Sequence, residues 1–104
     1  MSDASYEQFS IEWRGIAIRV SFAANWLNMA ARGYGTAHIE VLSIDPDRAP
    51  LPMTETGYRS HFTSAETVAA YGGPVAFVQR WLEEEAKSPT WKSYEATSRQ
   101  FSLF

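Results

Sequence analysis

Six polar side chains in the first 61 residues have the chemistry needed to bind a small anion. They are Arg19, His38, Glu40, Glu55, Arg59 and His61. Arginine offers a planar fork of N–H donors to a carboxylate or phosphate, and histidine changes its charge near neutral pH. If the six share one surface, they form a candidate ligand-binding site. The alternative is a solvated sheet on which opposite charges pair across strands, each pair contributing roughly 0.2–1 kcal/mol.

The same residues do not predict a catalytic or metal site. Histidine and glutamate on separate strands can bind a metal, but no pair has a diagnostic ligand spacing. Ser60 and His61 are neighbours, so on a strand they point to opposite faces and cannot act together as a nucleophile and its base. The chain has no cysteine, which excludes a thiolate zinc site, a cysteine nucleophile and a disulfide. We therefore expect no catalytic residue, metal or cofactor, and the sequence favours a protein that is not an enzyme.

Four predicted strands position these side chains. Residues 9–13 and 16–22 alternate between apolar and polar types, and the turn Arg14-Gly15 between them predicts a hairpin. Residues 36–44 form a third strand, and residues 54–62 form a fourth. Within the fourth strand, Gly57 indicates a bulge or a close approach of another backbone segment.

The direction of each side chain follows from the alternation along these strands. In the second and third strands the inward set is Ile16, Ile18, Val20, Phe22, Ile39 and Val41. In the fourth strand we expect Tyr58 and Phe62 to point inward. The six polar side chains would then lie together on the opposite face of the sheet.

The second half of the chain carries signals typical of helices. The segment from Thr63 to Glu66 matches a capping box, with Thr63 as the N-cap of a short helix that runs to Tyr71. Pro74 fits the first position of a longer helix with an apolar stripe. Ser88 and Pro89 predict the start of a third helix that runs to about Ser98.

The order of elements predicts an α+β fold. The chain has 104 residues, of which 45% are hydrophobic and 20% charged, so we expect one domain over residues 1–104 with flexible ends at 1–8 and 99–104. Strands that precede helices, instead of alternating with them, predict an antiparallel sheet of about four strands covered on one face by two to three helices.

Charge and the first residues narrow the partners and the compartment. The net charge is −3 with acids and bases interspersed, so there is no basic footprint for nucleic acid. The first seven residues are polar and acidic, unlike a signal peptide, and no apolar run approaches the ~18 residues of a membrane span. We therefore expect a cytoplasmic protein with no membrane or nucleic acid partner. Its oligomeric state is not predicted.

The C-terminal residues Gln100-Phe101-Ser102-Leu103-Phe104 offer a specific partner hypothesis. They resemble the pentapeptide with which bacterial polymerases and repair proteins dock on the DNA polymerase III sliding clamp. The resemblance implies that Gln100 occupies a polar subsite while Leu103 and Phe104 fill an apolar pocket. Phe101 replaces the leucine that is usual at the second position. The alternative is that Phe101, Leu103 and Phe104 fold back onto their own domain.

Most of the chain is also similar to a family of small proteins from alphaproteobacteria and their plasmids to which no activity is assigned. The similarity is carried by residues 38–41, 51–62, 72–78 and 102–104. It implies no reaction. The sequence therefore favours a non-enzymatic interaction module that docks on the sliding clamp. The alternative is a ligand-binding protein or enzyme that uses the polar sheet face around Arg19, His38, Glu40, Arg59 and His61.

Overall fold

A computed structural model describes residues 6–24 and 36–101, with side chains as far as Ser98, as four strands followed by three helices. The strands are β1 (Glu7–Trp13), β2 (Ile16–Ala23), β3 (Thr36–Asp45) and β4 (Tyr58–Ser64). The helices are α1 (Ala65–Ala70), α2 (Pro74–Glu85) and α3 (Pro89–Phe101). The predicted α+β class is confirmed.

The sheet is an antiparallel meander in the order β1-β2-β3-β4. The predicted hairpin turn is present, because Trp13 pairs with Ile16 and both Arg14 (φ 49°) and Gly15 (φ 84°) have positive φ. Positive φ at both central residues matches the right-handed twist of the two strands, and glycine adopts it without a steric penalty. The sequence places β1 two residues too late, since it begins at Glu7.

The core lies between one face of the sheet and the helices. Val20 pairs with Val41 and Phe22 with Ile39, and these four side chains are buried on the helix-covered face. Helices α1 and α2 contribute Val68, Val78 and Leu82 to the same cluster. The predicted inward side chains of β2 and β3 do face the helices, but Ser21, Ala23 and His38 on the opposite face are buried as well, so burial does not alternate along these strands as predicted.

The starts of α1 and α2 are set by different local features, a side-chain hydrogen bond for α1 and a proline for α2. The hydroxyl of Ser64 accepts a bond of 3.0 Å from the backbone N–H of Thr67, so Ser64 caps α1 and the prediction of Thr63 as the cap is wrong by one residue. The cause is that β4 continues through Ser64 before the helix begins. Pro74 occupies the first turn of α2, as predicted.

Helix α3 lies at the edge of the domain, and the Arg14 guanidinium donates bonds of 2.8 and 2.9 Å to the Glu95 carboxylate of this helix. The hydroxyl of Ser88 accepts a 3.1 Å bond from the N–H of Trp91, whose indole is only 7% exposed and packs 5.8 Å from the ring of Trp13. Of the side chains described after Trp91, every one is exposed or half-buried, including Tyr94 at 42%. The helical backbone extends to Phe101, three residues beyond the predicted end at Ser98.

Candidate functional site

Strand β4 faces in the direction opposite to the prediction. Tyr58 and Phe62, expected in the core, are 37% and 47% exposed. Arg59 instead lies opposite Val41, and His61 lies opposite Ile39, on the face that the helices cover. The reason is that α2 presents aromatic rings to β4, and these rings can pack against a guanidinium and an imidazole.

The six predicted ligand-binding residues are therefore divided among three places. Arg19, His38 and Glu40 lie on the face of the sheet that the helices leave uncovered. Arg59 and His61 lie on the helix-covered face, and Glu55 is exposed in the loop before β4. The single polar surface expected from the sequence does not form, so each part has its own chemistry.

A hydrogen-bonded chain centred on His38 crosses the uncovered face. His38 is only 6% exposed, and its Nδ1 lies 2.6 Å from the hydroxyl oxygen of Tyr6. Its Nε2 lies 2.6 Å from the hydroxyl oxygen of Ser60. The ring stacks on Phe62 at a centroid distance of 4.4 Å and an interplanar angle of 14°. Both ring nitrogens are thus engaged, and the imidazole ties the start of β1 to β3 and β4.

The contact between His38 and Ser60 has the distance of a nucleophile and its general base. The group on the other ring nitrogen is the phenol of Tyr6. In serine hydrolases this position holds a carboxylate, which stabilises the imidazolium that forms when the serine loses its proton. A phenol supplies only a dipole, so the geometry fits a structural link better than a proton relay.

The sequence predicted neither Tyr6 nor Ser60 as a partner of His38, since it considered Ser60 only beside His61. Their partner His38 is 22 residues from Ser60 and 32 residues from Tyr6. The contact between His38 and Ser60 depends on the register of β3 on β4, which puts Ser60 opposite Glu40 and diagonally beside His38. That register is not encoded locally.

Glu40 forms a separate contact on the same face. The Tyr58 hydroxyl donates a 2.8 Å hydrogen bond to the Glu40 carboxylate. This bond raises the pKa of Tyr58 above its ordinary value, and partial burial adds to the rise. Glu40 is thus occupied by a phenol in place of the arginine partner that a charge-paired sheet would supply.

A pocket of about 300 Å³ lies on the helix-covered side, between β4 and α2. The Arg59 guanidinium lies 5.4 Å from the centroid of the Trp81 ring, and its Nη1 donates a 2.9 Å bond to the backbone oxygen of Met53. The His61 ring lies 4.9 Å from Trp81 and 6.0 Å from Phe77. The pocket therefore combines a held cation with aromatic walls.

The charges around this pocket are unequal. Burial lowers the pKa of His61 and the nearby Arg59 charge lowers it further, so the imidazole is neutral at pH 7. Glu84 accepts a 3.3 Å contact from Arg80 and one of 3.4 Å from Lys87, and the bond from Arg80 chiefly lowers the pKa of Glu84. Positive charge consequently exceeds negative charge at the rim.

A second cavity, of about 510 Å³, lies between the loop Pro50–Glu55 and the start of α3. Glu55 and Trp91 both line it. The Trp91 indole N–H is buried and has no acceptor among the described residues. Since that nitrogen is sealed from solvent, a ligand in the cavity could not reach it without a shift of the indole.

The described parts of the chain contain neither a candidate metal site nor a membrane-spanning helix. Residues 6–24 and 36–101 contain no cluster of three or more histidine, aspartate or glutamate side chains that could hold a metal ion. No helix within the same ranges has the length and apolar character needed to cross a membrane.

The comparisons with known proteins identify a family. Residues 6–91 match the family model described as KlcB third domain. The chain belongs to this family. The match contains all four described strands with α1 and α2, and it ends at Trp91 in the first turn of α3. No curated protein and no solved structure matches the chain significantly.

The C-terminal pentapeptide lies beyond the part that matches the KlcB third domain. The backbones of Gln100 and Phe101 belong to α3, but their side chains, together with Ser102, Leu103 and Phe104, fall outside the described residues. The same holds for residues 1–5 of the N-terminal end that the sequence predicts to be flexible. The clamp hypothesis therefore stays a prediction from the sequence.

Proposed function

We propose that this domain is a protein-interaction module that docks on the bacterial DNA polymerase sliding clamp through residues 100–104. In this proposal Gln100 occupies the polar subsite of the clamp, while Leu103 and Phe104 fill its apolar pocket. Phe101 packs at the edge of the same groove. The domain serves to carry the peptide.

The observation that carries the proposal is the course of α3. Ser88 and Trp91 fix the first turn of the helix to the domain, and the ion pair between Arg14 and Glu95 holds the helix further along. The next seven side chains, residues 92–98, are exposed or half-buried, so the domain does not enclose this part of the helix. A helix that rises 1.5 Å per residue then displaces its far end by about 20 Å over its length. The arrangement supports presentation of the pentapeptide to a partner.

The expected affinity is low. Burial of Leu103 and Phe104 gains on the order of 1.5–3 kcal/mol for each side chain. Ordering five residues costs about 1–2 kcal/mol per residue, which is of similar size. The hydrogen bonds of Gln100 and the second pocket of a dimeric clamp must supply the net attraction, so we expect a weak and reversible contact.

The setting of the protein is part of the same proposal. The sequence similarity to small alphaproteobacterial and plasmid proteins favours a role in replication, antirestriction or interference with the host. Such a role places the protein in the cytoplasm, where the clamp acts. The clamp used in a test should therefore come from an alphaproteobacterium.

The test is a titration of the purified clamp with the full chain. The double variant Leu103→Ala with Phe104→Ala is expected to lose binding and keep its thermal stability. The matched control is Thr97→Ala, an exposed position on α3 three residues before the pentapeptide, which should bind like the wild type. Equal binding by the double variant, or no binding by the intact chain, refutes the proposal. A lower unfolding temperature of the double variant supports instead the packing of the tail on its own domain.

A further inference from the structure

The pocket between β4 and α2 has the composition of a small-ligand site, and its described lining residues come from β4, α2 and the turn between α1 and α2. Its polar group, Arg59, comes from the edge strand of the sheet, and its aromatic wall, Phe77 and Trp81, comes from α2. Its volume of about 300 Å³ is at the lower end of the range for small-molecule sites. A ligand with one ring suits a cavity of this size.

Arg59 is held in place before any ligand arrives. The Met53 backbone oxygen accepts from its Nη1, and the ring of Trp81 lies below the guanidinium. Within residues 6–24 and 36–98, no carboxylate pairs with this side chain. The other N–H groups of the fork are thus available to an oxyanion. A fixed fork loses less entropy on binding than a mobile one.

The walls of the pocket favour a planar group. The ring of Phe77 meets Tyr71 edge to face at 5.1 Å and meets Trp81 at 6.1 Å, so the aromatic side chains brace one another. His61 lies beside both α2 rings in its neutral form and adds a further flat surface. Offset or edge contacts with such rings are worth about 0.5–1.5 kcal/mol beyond the burial of area.

Arg59 is the arginine of this pocket that has no carboxylate partner among the described residues, which suits a ligand with one anionic group. Arg80 lines the pocket but is engaged by Glu84, whose carboxylate also lines it. A carboxylate carries one charge and matches the geometry of a single arginine fork.

We propose that this pocket binds a single-ring aromatic carboxylate, with its carboxylate on Arg59 and its ring against Trp81 and Phe77. The order of affinities follows from the chemistry. Benzoate binds more tightly than benzamide, which lacks the charge. Benzoate also binds more tightly than cyclohexanecarboxylate, which lacks the flat ring.

The experiment is a titration of the full chain with sodium benzoate, followed by amide chemical shifts in residues 58–62 and 77–84. Arg59→Gln is expected to weaken binding about tenfold or more, because a hydrogen bond to a charged group contributes about 1.5–3 kcal/mol and each 1.4 kcal/mol is tenfold. The matched control is Arg19→Gln, an exposed arginine on the opposite face of the sheet, which should not change the affinity. Thermal unfolding of each variant checks that the fold is kept.

Three results would overturn the proposal: no saturable shift with benzoate, equal affinity for benzamide, or an equal loss in the Arg59→Gln and Arg19→Gln variants. The double variant of Leu103 and Phe104 separates this site from the clamp peptide. It should bind benzoate like the wild type, whatever its affinity for the clamp. Failure of either proposal therefore leaves the other to be judged on its own measurements.

Discussion

Replacement of Gly57 by alanine tests how closely the loop before β4 packs on the rest of the domain. Gly57 has a φ of +79°, and its carbonyl accepts a 2.8 Å bond from the N–H of Ser43. A Cβ built at this position would lie 2.6 Å from the carbonyl carbon of Arg48 and 2.7 Å from its Cα and oxygen. Backbone atoms cannot rotate away as a side chain can, so one of the two segments must move.

The magnitude can be worked out against a matched glycine. Gly15 has a φ of +84°, but an added Cβ there meets nothing within 4 Å. Gly15→Ala should therefore cost only the left-handed backbone penalty, about 1–2 kcal/mol. Gly57→Ala should cost the same penalty and a further 1–3 kcal/mol or so for overpacking, about 2–5 kcal/mol in all. The difference between the two variants isolates the contact with Arg48.

The assay is urea unfolding followed by tryptophan fluorescence, with the free energy of unfolding extrapolated to water. Both variants should unfold in one transition with the slope of the wild type, and Gly57→Ala should have the lower midpoint. Equal losses in the two variants would refute the reasoning. They would mean that the segment around Arg48 shifts at negligible cost and that the close packing does not stabilise the fold.

Two further predictions concern the start of α1 and the pocket. Ser64→Ala should lower the free energy of unfolding by about 1 kcal/mol, because it removes the acceptor for the Thr67 N–H. Thr63→Val should lower it much less. If urea unfolding shows the larger loss for Thr63→Val, Thr63 is the cap. Folding lowers the pKa of His61, chiefly through burial and further through the charge of Arg59. As the pH falls below about 6.5, His61 therefore binds a proton more readily in the unfolded chain than in the folded one. Stability should therefore fall as the pH drops through that window, and His61→Gln should show a shallower fall in pH-dependent urea unfolding; identical slopes would contradict the assignment.

The elements that the sequence predicted are those defined by neighbours along the chain. The turn at Arg14 and Gly15, the proline that starts α2 and the cap at Ser88 each depend on two to four consecutive residues. The close approach at Gly57 was also predicted, since a glycine within a strand pattern often marks a bulge or a close backbone contact. Such features are determined locally, so a single sequence contains what is needed to find them.

The facing of β4 depends on a partner and could not be found in this way. Tyr58 and Phe62 alternate with Arg59 and His61, and the apolar pair is the natural choice for the core. An edge strand has only one neighbour, and its side chains adapt to what the opposing helix offers. Because Trp81 lies over β4, the guanidinium and the imidazole find aromatic partners on the covered side. The phenol of Tyr58 meanwhile bonds to Glu40 on the other side.

This arrangement also explains why polar residues on the covered face do not destabilise the sheet. A buried cation without partners would cost several kcal/mol, but Arg59 keeps contact with solvent and rests on an indole face, where a cation gains about 0.5–2 kcal/mol. His61 avoids the cost by staying neutral. Strand β4 can therefore place the Arg59 guanidinium and the His61 imidazole beside the aromatic rings of α2 without a carboxylate partner. Lysine keeps the positive charge on Trp81 but lacks the planar fork, so Arg59→Lys should bind benzoate more weakly than the wild type. Equal affinities of Arg59→Lys and the wild type would mean that Arg59 is only structural.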